Sequence, residues 1–478
     1  MRRAFIVTLL LLIAALVGVG GAALQVNSAR DQVVLAAHTV QGDPAAAHGL
    51  TVRCHATYDD RLFWDTSYSA GPEAVTTTEY TFSSTRREQP VAPLREGVFL
   101  ERMSFKWLEL DRGFDPATST PLTGLPAAFQ ALYDAAAPGE EKTAVVNLRD
   151  YYDYYPLTVT LNLPGTPFNQ AEDDPAHFPP HQVPEEYAAV TAAFQEFFKF
   201  PVLADEQIEL SVQRDADGYA VGYGSSATSD AFHLWSVHSA VTADACYFTF
   251  NNRTQNGGII DTSHIPGGYG IYCLPFSAMD SIAAVRAEEL YMAYPLDPAV
   301  EFLHLGLAPR SDRLLLHTRE DGKYMMTVID IATMSARQRL EIGEGSENEF
   351  DWFVFEGDGF LTVGVNYRWL AVIAATPDGD YEVRFTAEVA GEQASWHQSL
   401  DWAVMDYDGR RLAVADFLWN TDMTGHITHQ GCGFYLAVYD ETGLAYWGEY
   451  PSSLSRGAQN QRYACRPVNY EPLAVSWE

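Results

Sequence analysis

Phe350-Asp351-Trp352-Phe353-Val354-Phe355-Glu356-Gly357-Asp358-Gly359 and Leu400-Asp401-Trp402-Ala403-Val404-Met405-Asp406-Tyr407-Asp408-Gly409 are two copies of one pattern, set 50 residues apart. Each runs from an Asp-Trp pair into an Asp-Gly dipeptide and then into a second apolar stretch, Phe360 to Val365 or Leu412 to Phe417. Glycine tolerates the positive φ of a tight reversal, so each copy reads as a β-hairpin. Asp215-Ala216-Asp217-Gly218, followed by Tyr219 to Tyr223, is a third and more degenerate copy.

A second element follows each hairpin. Tyr324 to Thr333, Trp369 to Thr376 and Phe434 to Thr442 are apolar strands that end in a turn and lead into another strand; Ile271-Tyr272-Cys273-Leu274 begins a fourth. The mean repeat is about 55 residues with four short strands in each. In this the chain resembles β-propeller repeat proteins of the WD40-like superfamily, of the bacterial membrane-anchored extracytoplasmic kind. The likeness covers roughly the last 270 residues. No repeat carries the Gly-His and Trp-Asp signature of WD40 blades, and Asp351-Trp352 and Asp401-Trp402 are the reverse dipeptide, so the resemblance stays at superfamily level. It implies an all-β propeller of about seven four-stranded blades.

The first half is less regular. Leu50 to Tyr58, Leu62 to Tyr68, Val75 to Phe82, Thr143 to Leu148 and Leu157 to Leu163 are rich in β-branched and aromatic residues and read as strands. Two helical insertions interrupt them. One covers 126–137 and ends before Pro138-Gly139, and the other covers 184–199, opening with Pro184 and two Glu. In the second, Tyr187, Val190, Phe194, Phe197 and Phe198 recur at helical spacing and should face the sheets. The final segment, Leu473, Val475 and Trp477, alternates at strand period. It should pair with a strand from the start of the domain, within Leu50 to Tyr68, because a circular array otherwise leaves one blade open.

Ahead of this lies a different physical regime. Arg2 and Arg3 precede 26 uncharged residues, and about 20 apolar residues suffice to cross a bilayer as a helix. Residues 1–26 are therefore expected to form one N-terminal transmembrane helix, with 27–478 as an extracytoplasmic domain by the positive-inside rule. Cleavage of a signal segment near Gly20-Gly21-Ala22-Ala23, giving a secreted product, is the alternative.

The chain of 478 residues carries a formal charge of −33, with 47% hydrophobic residues. A packed core is therefore expected, and phosphate binding is not, since that needs clustered Lys and Arg. Nucleic acid is excluded as a partner. Five cysteines in an exported chain suggest two bridges by proximity in sequence, Cys246 with Cys273 and Cys432 with Cys465, leaving Cys54 alone. Five small buried thiols are the competing reading.

Candidate chemistry is sparse. His426, His429 and Cys432 have the spacing of zinc ligands, though without a fourth ligand a solvated loop, with Cys432 in a disulfide, is the plainer reading. The alternating carboxylates Asp215 and Asp217, and Asp406 and Asp408, resemble the start of a calcium loop but lack its later ligands, so they read as turn residues. Tyr151, Tyr152, Tyr154 and Tyr155 could offer a sugar- or protein-binding surface; a pair of strands with alternating tyrosines is the plainer reading. The chain has no nucleophile elbow, phosphate loop or zincin motif. No cofactor is expected. The sequence thus reads as a non-enzymatic, membrane-anchored binding or scaffold module for a protein or glycan, and the alternative is a glycan-active hydrolase or lyase with carboxylates at the propeller channel.

Overall fold

The computed structural model describes residues 6, 8–9, 11–21, 34–58, 62–85, 96–102, 125–164, 185–227, 238–254, 257–277, 285–309, 312–345, 352–365, 368–389, 400, 403–417, 420–421, 427–428, 433–451 and 473–478. The chain divides into two compact units, Met1–Ala92 with Asn348–Glu478, and Pro93–Glu347. Strands dominate both.

The first unit holds three large antiparallel sheets. One runs Trp352–Gly357, Phe360–Val365, Trp369–Ala375 and Tyr381–Glu388 in sequence order. The next runs Val404–Tyr407, Leu412–Phe417, Phe434–Asp440 and Gly443–Tyr450, with His38–Gly42 added as a fifth strand on the outer edge. The two Asp-Trp repeats thus lead into the first strands of consecutive sheets, and Gly359 and Gly409 turn the hairpins at φ +77° and +92°. Asp401 and Trp402 lie outside the described residues. Trp352 is only half-buried and packs edge-on against Trp369 of its own sheet, at 6.0 Å.

Burial explains why these strands read as apolar runs. Every residue of Phe360–Val365 is buried, as are all but the last of Phe434–Asp440, because both faces of a central strand are covered. Leu412, Val414, Tyr435 and Trp447 pack on Leu370, Val372 and Phe385 of the preceding sheet. The opposite face offers Ala413, Ala415, Leu436 and Val438 to a third sheet, which contributes Leu50, Val52, Tyr68, Leu473 and Val475.

That third sheet joins the chain ends in the order Leu473–Trp477, Leu50–Tyr58, Leu62–Ser69, Val75–Phe82. The terminal strand pairs antiparallel with Leu50–Tyr58, Leu50 opposite Trp477 and Cys54 opposite Leu473, as its alternation indicated. Its far end is clamped. The Trp477 N–H donates to the Asp406 carboxylate at 2.8 Å, its indole N–H donates to the Asp406 carbonyl at 3.2 Å, and the Arg411 guanidinium lies 3.9 Å over the indole ring.

In the second unit two further meanders follow the same plan: His238–Val241, Ala245–Thr249, Gly270–Pro275, Tyr291–Pro295, and Glu301–Leu307, Arg313–Glu320, Lys323–Asp330, Ser335–Glu344. A three-stranded sheet, Glu141–Asn147, Gln207–Arg214 and Ala220–Ala227, and the pair Gly97–Arg102 with Leu157–Asn162 complete its strands among the described residues. The helices stand at Leu125–Ala135 and Glu185–Phe198. Arg214 ties down the end of the first by donating to the Ala136 carbonyl at 2.6 Å while stacking 4.5 Å over Tyr133, so a cation meets the last carbonyls of the helix. Phe194 and Phe198 of the second helix sink into the core against Phe248.

At the amino terminus residues 11–21 are helical, with Leu11, Leu12, Leu16, Val17 and Val19 exposed. Among the described residues no helix is long and apolar enough to cross a membrane. Residues 11–21 make about three turns and rise about 16 Å, against the roughly 30 Å of a hydrocarbon core; residues 1–5, 7, 10 and 22–26 of the expected span lie outside the described ones.

Removing residues 472–478 takes away the buried Leu473 and Val475 and the clamped Trp477 together. The truncated chain should lose about 4–8 kcal/mol of stability, from emptying two core sites and opening a strand edge, and should unfold at a lower temperature in one cooperative transition. Calorimetry of the full and truncated chains checks this.

Candidate functional site

The tyrosine segment is not a strand pair. Leu148–Asp150 is a single 3₁₀ turn, and the chain then crosses the core in an irregular path touching Pro201 at Tyr154. Tyr155 is fully buried; its hydroxyl donates to the buried Glu206 carboxylate and accepts from the Leu203 N–H at 3.1 Å. The side-chain amide of Gln195, on helix Glu185–Phe198, donates to the Tyr155 carbonyl at 2.9 Å and accepts from the Leu157 N–H at 2.8 Å, sewing helix to strand. Tyr151 and Tyr152 pack partly buried against the same core, and burial raises the Tyr152 phenol above its ordinary value. Tyr154, 44% exposed and 6.3 Å from the His264 ring, is the most open of the four. The four tyrosines therefore do not form one surface.

Nor do Cys246 and Cys273 form a bridge. In the paired strands Cys246 stands opposite Leu274 and Cys273 opposite Tyr247, one position out of register. Side chains alternate faces along a strand, so the two thiols point to opposite sides of the sheet. Cys246 enters the core with Phe248 and Tyr272, while Cys273 enters the one with Ile271 and Leu316. Both are free and buried, and Cys54 is buried as well. Burial pushes the Cys54 and Cys246 thiols up to about 12, Cys54 further raised by Asp65. Cys432, Cys465, His426 and His429 lie outside the described residues. Among the described residues no group of three His, Cys, Asp or Glu is placed to hold a metal ion.

The aspartates of the repeats serve the backbone. The Asp215 carboxylate accepts from the Tyr219 N–H at 2.7 Å, and Asp408 accepts from the Arg410 and Arg411 N–H groups at 2.8 and 2.6 Å. Asp406 holds the terminal strand. These are turn and latch acceptors.

Two arrangements of the fold bear on chemistry. In the first unit an open groove of about 440 Å³ is lined by Gln41, Thr386, Glu388, Glu441, Thr442 and Leu444, at the outer edges of adjoining strands. In the second unit His238, His304 and His317 form a stack: the rings of His238 and His304 are 4.7 Å apart and those of His304 and His317 5.6 Å, both edge-on. His304 and His317 are register partners on neighbouring strands, and His238 arrives from the preceding sheet. No local motif announces this cluster, whose members lie up to 79 positions apart in sequence. His317 is fully buried, and that burial, with the neighbouring His238, lowers its pKa to about 3.

No family model and no curated relative matches the chain. Among solved structures it is similar to the β-propeller domain of Cps50 (Swd1) from Myceliophteria thermophila, at 10% identity over 51% of this chain and 82% of that one, with a TM-score of 0.24. It is also similar to the periplasmic gluconolactonase PpgL of Pseudomonas aeruginosa, at 12% identity over 52% and 77% of the two chains, with a TM-score of 0.24. A 6-phosphogluconolactonase-like protein of Bacteroides uniformis aligns at 12% identity over 51% and 84%, with a TM-score of 0.23. Likeness of this degree transfers no residue role. The class rests on the strands themselves: antiparallel meanders, stacked face to face within each unit and closed in the first by a strand from the chain end, resemble the blades of a β-propeller.

Two outcomes follow. Alkylation after denaturation without reductant should find Cys246 and Cys273 as thiols, which mass spectrometry of the labelled peptides reads. His317 sets an acid limit on stability. The unfolded chain takes up a proton on this ring below its ordinary value of 6.5, whereas the folded state refuses it down to about 3. Its contribution is complete above pH 6.5 and is lost as the pH falls toward 3, at about 1.4 kcal/mol per unit. Urea unfolding between pH 6 and 4 should show this slope in the parent and a shallower one in His317→Gln.

Proposed function

We propose that the protein is a membrane-tethered, extracytoplasmic propeller of about seven blades that binds a protein or glycan partner. The observation that carries the binding reading is the groove: polar, open to solvent and rimmed by Glu388 and Glu441 on a chain of net charge −33. Such a lining suits a ligand rich in hydroxyls or cationic groups. Tethering draws on the exposed apolar helix of residues 11–21 behind Arg2 and Arg3.

A second reading, hydrolysis of a glycan, draws on Glu356. It sits exposed on the first strand of its sheet, and partial desolvation by the neighbouring protein raises its carboxyl above the ordinary range. A raised carboxyl is the state a general acid needs.

Full-length protein in detergent, screened against glycans and basic peptides for binding and turnover, separates the two. The binding reading expects capture without turnover, weakened about tenfold or more by Glu388→Gln with Glu441→Gln, as expected for losing charge-assisted hydrogen bonds. Turnover abolished by Glu356→Gln would overturn it in favour of the hydrolase. Fractionation should recover the full chain with membranes, released by detergent and not by salt; a soluble product beginning after Ala22 or Ala23 would replace the tether with a cleaved signal.

A further inference from the structure

The groove of the first unit has a strand edge as one wall. Tyr381–Glu388 is the last strand of its sheet, and among the described residues no strand pairs with its outer side. Its register fixes which backbone groups face outward. Ala387 stands opposite Leu370 on the inner neighbour, and two residues on the Val389 N–H donates to the Arg368 carbonyl at 2.8 Å. In an antiparallel ladder alternate residues turn their N–H and C=O groups toward the same neighbour. Ala387 and Val389 therefore bond inward. The N–H and C=O groups of Thr386 and Glu388 are directed outward, where these two residues line the groove.

The facing wall is acidic. Glu441 and Thr442 belong to the hairpin turn ahead of Gly443–Tyr450, a turn that Asp440 fixes by accepting from the Thr442 N–H and hydroxyl at 2.8 and 2.6 Å. Gln41 reaches the groove from His38–Gly42. Glu388 and Glu441 are exposed, and among the described residues no cation holds either. Glu382, on the same strand as Glu388, is already paired with Arg384 at 2.7 Å. The described lining thus joins outward backbone groups and two unengaged carboxylates to the apolar Ala387 and Leu444, and holds no aromatic side chain on which a sugar ring could stack.

We propose that the groove takes a cationic polypeptide segment in extended form, added as a further strand along Thr386–Glu388. The inference rests on the binding reading above and narrows its partner from a protein or glycan to a peptide. An added strand runs about 4.8 Å from the edge it joins and exchanges hydrogen bonds with the outward N–H and C=O groups, which gives affinity whatever its side chains. Its Lys or Arg side chains find the carboxylates of Glu388 and Glu441 in the same groove. The net charge of −33 draws such a segment in from a distance.

The probe is a fluorescent peptide of alternating Lys and Thr, about six residues long as strands usually are, titrated into the full-length protein in detergent. A second probe has the same sequence with every backbone amide N-methylated, which keeps the charge and removes the donors. The first should bind about tenfold or more tightly than the second, the difference expected for two hydrogen bonds or more. On binding it, the Thr386 and Glu388 amides should gain about tenfold protection from hydrogen exchange. Thr386→Pro, which removes an outward N–H and no inward bond, should weaken the first probe about fivefold. Equal affinity of the two probes, or no added protection at either amide, would overturn strand addition and leave the groove a binding site. Capture of a glycan with the peptide ignored would overturn the peptide class alone, and capture of neither would overturn the binding reading with it. Should Thr386→Pro fail to fold, the pair of peptides decides by itself.

Discussion

Burial of both faces of each central strand is the constraint on which the structure depends. A sheet whose middle strands read Phe-Leu-Thr-Val-Gly-Val or Phe-Tyr-Leu-Ala-Val-Tyr has no face to give to water, so it needs a neighbour on each side. The sheet containing Phe434–Asp440 meets that demand from two directions, through Leu370 and Phe385 on one side and Leu50, Val52 and Val475 on the other. Its second neighbour exists only because the chain ends combine to make it. Leu473–Trp477 supplies the strand, and Asp406 and Arg411 fix its end. Stability of the first unit is consequently shared between residues more than 400 positions apart in sequence.

Much of this was legible before any coordinates. Asp-Gly dipeptides after apolar runs marked the hairpins, because few other residues take the positive φ seen at Gly359 and Gly409. Leu473, Val475 and Trp477 announced a one-faced strand, which an edge position needs, and the spacing of Val190, Phe194 and Phe198 announced a helix with one buried side. What escaped depends on register. Whether Cys246 and Cys273 can bond is decided by a single residue of offset between paired strands, which nearness in sequence does not encode. Asp406 looked like a turn residue and proved to be the acceptor for a backbone N–H 71 positions later.

The candidate sites show the same division. Tyrosines adjacent in sequence diverge in space, Tyr155 inward to Glu206 and Tyr154 outward, because an irregular segment does not hold its side chains to one plane. Histidines far apart in sequence converge, because successive sheets set their first strands side by side and bring His238 against His304. Local motifs suit chemistry built on one loop; in stacked sheets the chemistry belongs to positions on different strands, where composition gives no hint of it.

Closure by the terminal strand is the central claim, and a designed cross-link tests it most directly. Arg53 and Ala474 are register partners on the two closing strands, and both side chains face solvent. With Arg53→Cys and Ala474→Cys introduced, and Cys432 and Cys465 replaced by Ser, mild oxidation should give a bond within one molecule and raise the unfolding temperature reversibly with reductant. Failure to form that bond, or its formation only between molecules, would contradict closure by this strand.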